Sequence, residues 1–426
     1  MENQLLHTPE GVRDIYSQEC SRKLYLQDGL HKVFHQYGFR DIQTPTFEFF
    51  DVFSKEVGTI PSKDLYKFFD REGSTLVLRP DYTPSIARCA AKYYPDEQLP
   101  LRFCYCGNVF INETAVYQGR LKETTQMGAE MIGDTSVQAD SEMISLVIHL
   151  LRKAGLENFQ VEIGQVEFFK GLLEEGSIRE EIAVQLREQI SQKNYFGVEE
   201  VLAHQNISSG LKELFMKLPE LFGSVEVITK ARELTNNPRS LAALDRLMEI
   251  YEILKMSGLE TYVSFDLGML SKYMYYTGII FKSYTMGTGE ALVKGGRYDN
   301  LLGLFGKNSP AIGFTLMADT LILALSRQKI HIPSETKNYI YLYKKEFIKE
   351  ALLSAAPKRE QGERIALICM DETKSLKDYL AYAGNQQIDV LYFFDSSKEV
   401  RCFDMKTEEE HTEKLSILPE GSRERN

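Results

Sequence analysis

No run of apolar residues in the chain approaches the roughly 20 that a bilayer-spanning helix needs. The opening residues, Met1 to Gly11, carry neither a basic segment nor an apolar one. A cytoplasmic protein with no membrane partner is therefore the expectation. Cysteine is sparse. Six residues at irregular positions, Cys20, Cys89, Cys104, Cys106, Cys369 and Cys402, do not read as a disulfide framework in 426 residues, and a reducing compartment fits them. Cys104 and Cys106 stand two apart within Leu101–Gly107, where a strand would place both on one face as small hydrophobes; half a metal site is the sharper alternative. With only seven histidines and no His-Glu-x-x-His, neither a metal nor a cofactor is expected. Positive charge is also in deficit. A net charge of −11 argues against a chain whose main work is gripping a nucleic-acid backbone.

The usual catalytic signatures are missing too. No phosphate loop is present, since Gly287–Gly296 only imitates its composition and reads better as a glycine-rich strand connection. No Gly-x-Ser-x-Gly elbow occurs, and no cysteine and histidine lie close enough in sequence to suggest a nucleophile pair.

What is there is an ordinary folded protein, 43% hydrophobic and 26% charged, long enough for two or three domains. Leu26, Leu30, Val33, Phe34 and Tyr37 recur at helical spacing and Gly38 stops the run. A short extended segment follows over Arg40–Pro45, and two strands joined by a glycine turn over Asp64–Leu78. The chain then turns through Arg79–Pro84 into a helix for which Thr83 is a natural N-cap and Pro84 the first helical residue. Asp81 reads as a turn residue. Strands are expected over Leu101–Ile111, Glu123–Ile132 and Phe159–Ile163, with a helix between Asp134 and Gly155. From about Val166 to Met256 the pattern is charged and helical with no strand, a helical insertion in a sheet domain. Strands resume at Tyr262. A boundary falls at Ile332–Lys337, and a small alternating β/α unit runs from Tyr339 to Phe394; the polar tail after Thr407 is expected to be loose.

Two stretches stand out as binding surface. Gly268–Gly278 has no acid, histidine or arginine from Met269 to Ile280, while Tyr275 and Tyr276 supply flat amphipathic rings and Gly278 lets a backbone approach a ligand. In Glu123–Ile132, period two puts Gln126, Gly128 and Glu130 on one face and Met127, Ala129 and Met131 on the other. The polar face either meets solvent, as on a one-sided antiparallel sheet, or holds a ligand over the glycine. Asp81 and Glu130 could hold an ammonium, Gln126 and Thr83 could direct hydrogen bonds, and the two tyrosines could line an aromatic or imidazole slot.

Leu78-Arg-Pro-Asp-Tyr-Thr83, Gln118-Gly-Arg120, Gln126-Met-Gly-Ala-Glu-Met-Ile-Gly133, Tyr275-Tyr-Thr-Gly278 and Gly295-Gly-Arg-Tyr-Asp299 resemble, in order, the motifs of histidyl-tRNA synthetases and their paralogues, over about Thr8 to Leu325. The resemblance implies an α+β class II synthetase-like domain over 1–330, an antiparallel sheet flanked by helices with its insertion at about 166–256. It further implies a degenerate C-terminal α/β domain over 331–426, similar to an anticodon-binding domain. It assigns histidine binding to Asp81, Thr83, Gln126, Glu130, Tyr275 and Tyr276, with Asp81 standing where the synthetases usually carry glutamate.

The departures from that family separate two activities. Three arginines with which a synthetase would stabilise ATP phosphates and the transition state fall here on Ile111, Ser271 and Thr320. Losing one such group costs about 3–4 kcal/mol of transition-state stabilisation, so losing three should abolish adenylation. The chain thus resembles the regulatory paralogues that serve a short-form ATP phosphoribosyltransferase catalytic subunit, with histidine as effector and a homodimer within a hetero-octamer. A divergent histidine-activating ligase and a histidine-binding module for another partner are the alternatives.

Overall fold

The computed structural model describes residues 4–54, 60–112, 121–270, 276–333 and 337–415, and the chain divides into two compact units, Met1–Ile332 and Pro333–Asn426. In the first unit, helix α1 (Ser17–Gln36) buries Leu26, Leu30, Val33 and Phe34, the stripe its spacing requires, and leads into the two-residue strand β1 (Arg40–Asp41). Strands β2 (Phe47–Phe49), β3 (Lys67–Phe69) and β4 (Thr75–Leu78) form a small sheet in the order β2-β4-β3. Helix α2 (Thr83–Tyr93) follows, then the long strands β5 (Leu101–Phe110) and β6 (Glu123–Ile132). Ser136 caps helix α3 (Val137–Lys153) by accepting the amide of Ala139, Arg152 and Lys153 sit in its last turn, and Gly155 leaves it with φ +98°. Strand β7 (Phe159–Gln165) precedes the inserted helices α4 (Val166–Glu175), α5 (Glu180–Ser191), α6 (Tyr195–Ala203) and α7 (Ser209–Lys217). A two-residue strand β8 (Phe222–Gly223) then corrects the expectation of an uninterrupted helical insertion: it pairs with β9 (Val263–Asp266), beyond α8 (Glu226–Glu233) and α9 (Pro238–Met256). So short a strand has no alternation to detect. Strands β10 (Ile279–Thr285), β11 (Val293–Arg297) and β12 (Ala311–Met317) and helix α10 (Ala318–Arg327) complete the unit.

The main sheet has nine strands in the order β1-β5-β6-β12-β11-β10-β7-β9-β8. Its pairs are antiparallel except β1 with β5 and β7 with β9. Met127, Ala129, Met131 and Phe314 join Leu30, Phe34 and Val147 in one core, the face covered by α1 and α3. The same core runs on into Leu172, Leu186, Phe215 and Leu247, so the inserted helices have no separate interior. Register places Gln126, Gly128 and Glu130 opposite Met317, Thr315 and Gly313, on the other face.

In the second unit, β13 (Asn338–Tyr343), helix α11 (Ile348–Glu360), β14 (Arg364–Cys369), helix α12 (Leu376–Asn385) and β15 (Val390–Phe394) form an alternating β/α arrangement with parallel strands in the order β14-β13-β15. Beyond it, β16 (Glu399–Asp404) and β17 (Glu410–Lys414) add an antiparallel hairpin. This corrects the expected loose tail up to Lys414. The last strand is exposed along its whole length, so it has no apolar alternation to announce it.

Candidate functional site

The polar face of β6 is neither solvent-exposed nor empty of structure: Glu130 is 0% exposed and Gln126 5%. That removes the exposed-face alternative. The Glu130 carboxyl lies over Gly313, its partner on β12, where an added Cβ would come within 1.5 Å of Oε2. Only glycine leaves that room. Thr83 donates its hydroxyl to Glu130 Oε1 at 2.7 Å, and the Tyr298 hydroxyl donates to Oε2. Thr83 therefore does not cap α2; it is the first residue of the helix, Tyr82 stands at the cap position without a side-chain cap bond, and the Thr83 hydroxyl turns to the sheet. A buried carboxyl is the stronger competitor for that hydroxyl, because an unpaired buried acceptor is costly. Asp81 does act at the turn, accepting the amide of Tyr82 on Oδ1 at 2.7 Å.

The electrostatics follow from the burial. Desolvation pushes the Glu130 carboxyl up to about 8, against the opposing pull of the Tyr298 and Thr83 hydrogen bonds, and the negative charge of Asp81 pushes the same way. At neutral pH the carboxyl is thus held mostly neutral, close to a second acid. A cation entering between the two would relieve both terms at once.

Gln126 donates Nε2 to Met317 Sδ at 3.9 Å, while its Oε1 is buried with no hydrogen-bond partner. Such an orphan acceptor is uncommon and marks a place for a donor. Tyr276 is half-buried and lies over Gly296, where an added Cβ would meet the ring at 2.7 Å. Gly296 pairs with Gly313, so the Tyr276 ring and the Glu130 carboxyl cover two facing glycines whose strands are about 5 Å apart. Five of the six residues expected to bind histidine are thus described, and Thr83, Gln126, Glu130 and Tyr276 share the face to which Asp81 adds its charge. Tyr275 lies outside the described residues, as do Ser271 and Gln118–Arg120. Gly268, Met269 and Leu270 line a separate cavity of about 430 Å³ to which neighbouring elements bring the charged residues Glu162, Lys193, Asp266 and Lys282.

Sequence reasoning missed Tyr298 and Tyr105. Tyr298 is two residues beyond Gly296, on the same face by the period of a strand, and that alternation could have found it. Tyr105 hydrogen-bonds Thr315 at 2.8 Å and stacks on Tyr82 with ring centroids 4.3 Å apart, a contact no local pattern encodes. The two motif arginines among the described residues, Arg79 and Arg297, are occupied. Arg79 donates to the carbonyls of Asn108 and Thr44 at 2.9 and 2.8 Å, and Arg297, 3% exposed, donates Nε to Asp140 at 2.9 Å and Nη1 to the Asp134 carbonyl at 2.8 Å.

Among the described residues, two groups bring metal-ligand atoms together: His31, His35, Asp41 and Cys104, and Cys402, His411 and Glu413. Cys104 is buried and Cys106 exposed, so the expected pair of small hydrophobes holds only for the first.

This architecture, a mainly antiparallel sheet with buried polar and glycine positions on one face and core helices on the other, is that of class II histidyl-tRNA synthetases. The family model described as histidyl-tRNA synthetase matches residues 11–321. A solved Bacillus halodurans protein, described as an ATP phosphoribosyltransferase regulatory subunit/histidyl-tRNA synthetase, superposes with a TM-score of 0.80 at 34% identity over 89% of this chain and 96% of its own. Two curated relatives bear the name ATP phosphoribosyltransferase regulatory subunit: one from Acetivibrio thermocellus, 43% identical over 89% of this chain and 91% of its own, and one from Ruminiclostridium cellulolyticum, 40% identical over 94% and 95%. The chain belongs to the histidyl-tRNA synthetase-like family, and within it to the ATP phosphoribosyltransferase regulatory subunits.

Proposed function

We propose that this chain is a non-catalytic regulatory subunit that activates a short-form ATP phosphoribosyltransferase catalytic subunit in the first step of histidine biosynthesis. Histidine, held by Asp81, Thr83, Gln126, Glu130, Tyr275 and Tyr276, is the inhibitor it senses. The observation that carries this reading is a buried polar pocket in a chain whose sequence has the neutral residues Ile111, Ser271 and Thr320 where synthetases of the family have arginine. Arg79 and Arg297 do not substitute for them, because both are tied to backbone carbonyls or to Asp140.

In this reading the amino group of histidine enters between Asp81 and Glu130, the Gln126 Oε1 takes a donor, and the tyrosines flank the imidazole. Inhibition then requires histidine to bind one state of the assembly better than the other, since equal affinity shifts nothing. The groups that handle ATP and phosphoribosyl pyrophosphate belong to the partner, in a hetero-octamer that contains this chain as a homodimer. The C-terminal residues 331–426 serve as a degenerate anticodon-binding domain with a structural or partner-contact role.

Two measurements test the proposal. Histidine-dependent ATP–pyrophosphate exchange on the pure chain should be absent; robust exchange would instead identify a divergent histidine-activating ligase. Co-expression with a short-form catalytic subunit should yield a co-purifying complex whose phosphoribosyltransferase activity is stimulated and becomes histidine-sensitive. Failure to co-purify or to stimulate would sink the regulatory reading.

A further inference from the structure

The four residues His31, His35, Asp41 and Cys104 lie on the opposite, core-facing side of the sheet from the Glu130 pocket, at its β1 edge. His31 and His35 are one helical turn apart on α1, on the flank of the stripe that buries Leu30 and Phe34, and their ring centroids are 4.6 Å apart. Asp41 and Cys104 are direct partners in the parallel pairing of β1 with β5. One carboxylate therefore faces both rings and the sulfur: Asp41 Oδ2 is 3.0 Å from His35 Nε2, Oδ1 contacts His31 Nε2, and the Cys104 Sγ is 3.5 Å from Oδ1. All four ligand atoms fall within 4.8 Å of one another.

We propose that this cluster is a zinc site that fastens helix α1 to the edge strand β1 and to β5. Tetrahedral zinc with nitrogen, oxygen and sulfur ligands sets its donors roughly 3.3–3.8 Å apart, so adjustments of an ångström or less bring the four side chains onto one ion. The donor set selects the metal. A thiolate and two imidazoles favour a borderline-soft divalent ion over magnesium or calcium, which take oxygen ligands. The charge also closes: one thiolate and one carboxylate balance the dication, and the imidazoles stay neutral. Binding exchanges the thiol proton of Cys104 for the metal–sulfur bond and releases that proton to solvent. The ligands stand on a helix and two strands, which preset the geometry more firmly than loops would. Cys104 and its carbon neighbours close the inner side, while the exposed His35 and Asp41 leave an entry path.

The competing arrangement is a metal-free hydrogen-bonded cluster around Asp41, and cobalt(II) separates the two. The untagged full chain, stripped of metal by chelation, is titrated with cobalt(II) and read by absorption. One equivalent should bind with a thiolate-to-cobalt charge-transfer band and the intense visible bands of tetrahedral cobalt, and zinc(II) should bleach both. Cys104→Ser should abolish the charge-transfer band. His35→Ala, at an exposed position that leaves the core intact, should weaken binding tenfold or more. Cys402→Ser should change nothing, which excludes the second cluster as the source. A wild-type chain with no such band, a band that persists in Cys104→Ser or disappears in Cys402→Ser, or an unchanged affinity in His35→Ala would each overturn the zinc site.

Discussion

Glu130 concentrates the physics of the pocket in one side chain. Its carboxyl is raised to about 8 by burial, while in the unfolded chain it titrates near its ordinary value of about 4.3. Between those values the folded protein binds more protons than the unfolded one, so its contribution to stability is fully present below about 4.3, falls as pH rises, and levels off above about 8. Urea midpoints followed across that window should therefore decline in the wild type relative to Glu130→Gln, by a difference on the order of a few kcal/mol; parallel curves would show that the carboxyl is not held neutral. Under the proposed function the same group also meets the ligand. An ammonium between Asp81 and Glu130 favours the ionised carboxylate, so histidine binding near pH 7 should release up to one proton, seen as a buffer-dependent enthalpy in calorimetry. Glu130→Gln should remove that dependence. Steric tolerance is set by the glycine beneath: Gly313→Ala would force its Cβ into Oε2, and a loss of about 1–3 kcal/mol is expected from thermal or urea unfolding, with histidine affinity lost alongside.

Elements hold these side chains through cross-chain ties as much as through their own pattern. Asp140 on α3, fully buried, takes Arg297 from β11 and Arg246 from α9, the latter through Nε at 2.7 Å. Three elements far apart in sequence are thereby locked behind the Gly-Gly-Arg-Tyr-Asp segment. Arg297→Ala should cost about 3–5 kcal/mol by leaving Asp140 short of a buried partner, with Arg297→Lys intermediate because it keeps the charge but loses the paired donors. Equal stability in all three proteins, measured by urea unfolding, would show the pair to be energetically idle. Element type was legible where apolar residues line one face. The alternation in β6 and the stripe on α3 could be read directly because the side packed against the main core is apolar, even though the polar side of β6 is buried as well. Thr83 was not legible. A threonine before proline satisfies the capping pattern, and only the approach of β6 shows its hydroxyl to be taken by Glu130.

For the chain as a whole, all the described pocket residues fall in the first compact unit. Truncation after Ile332 should consequently leave calorimetric histidine affinity within about twofold, since an interaction of less than about 0.4 kcal/mol would be all that is lost; a tenfold drop would assign the C-terminal unit a part in the pocket. The amino-acid order alone determined the individual helices and strands, which rest on local periods of two and 3.6, and the motif series, whose resemblance to a known family implied the class II synthetase-like sheet and the three neutral positions. Only the tertiary structure decided that burial raises the Glu130 carboxyl, that Tyr298 and Gly313 serve it, and that His31, His35, Asp41 and Cys104 converge. Desolvation depends on what covers a group, and strand register brings together residues that the sequence keeps dozens of positions apart. Neither quantity has a local signature, so both become visible only when the sheet is assembled.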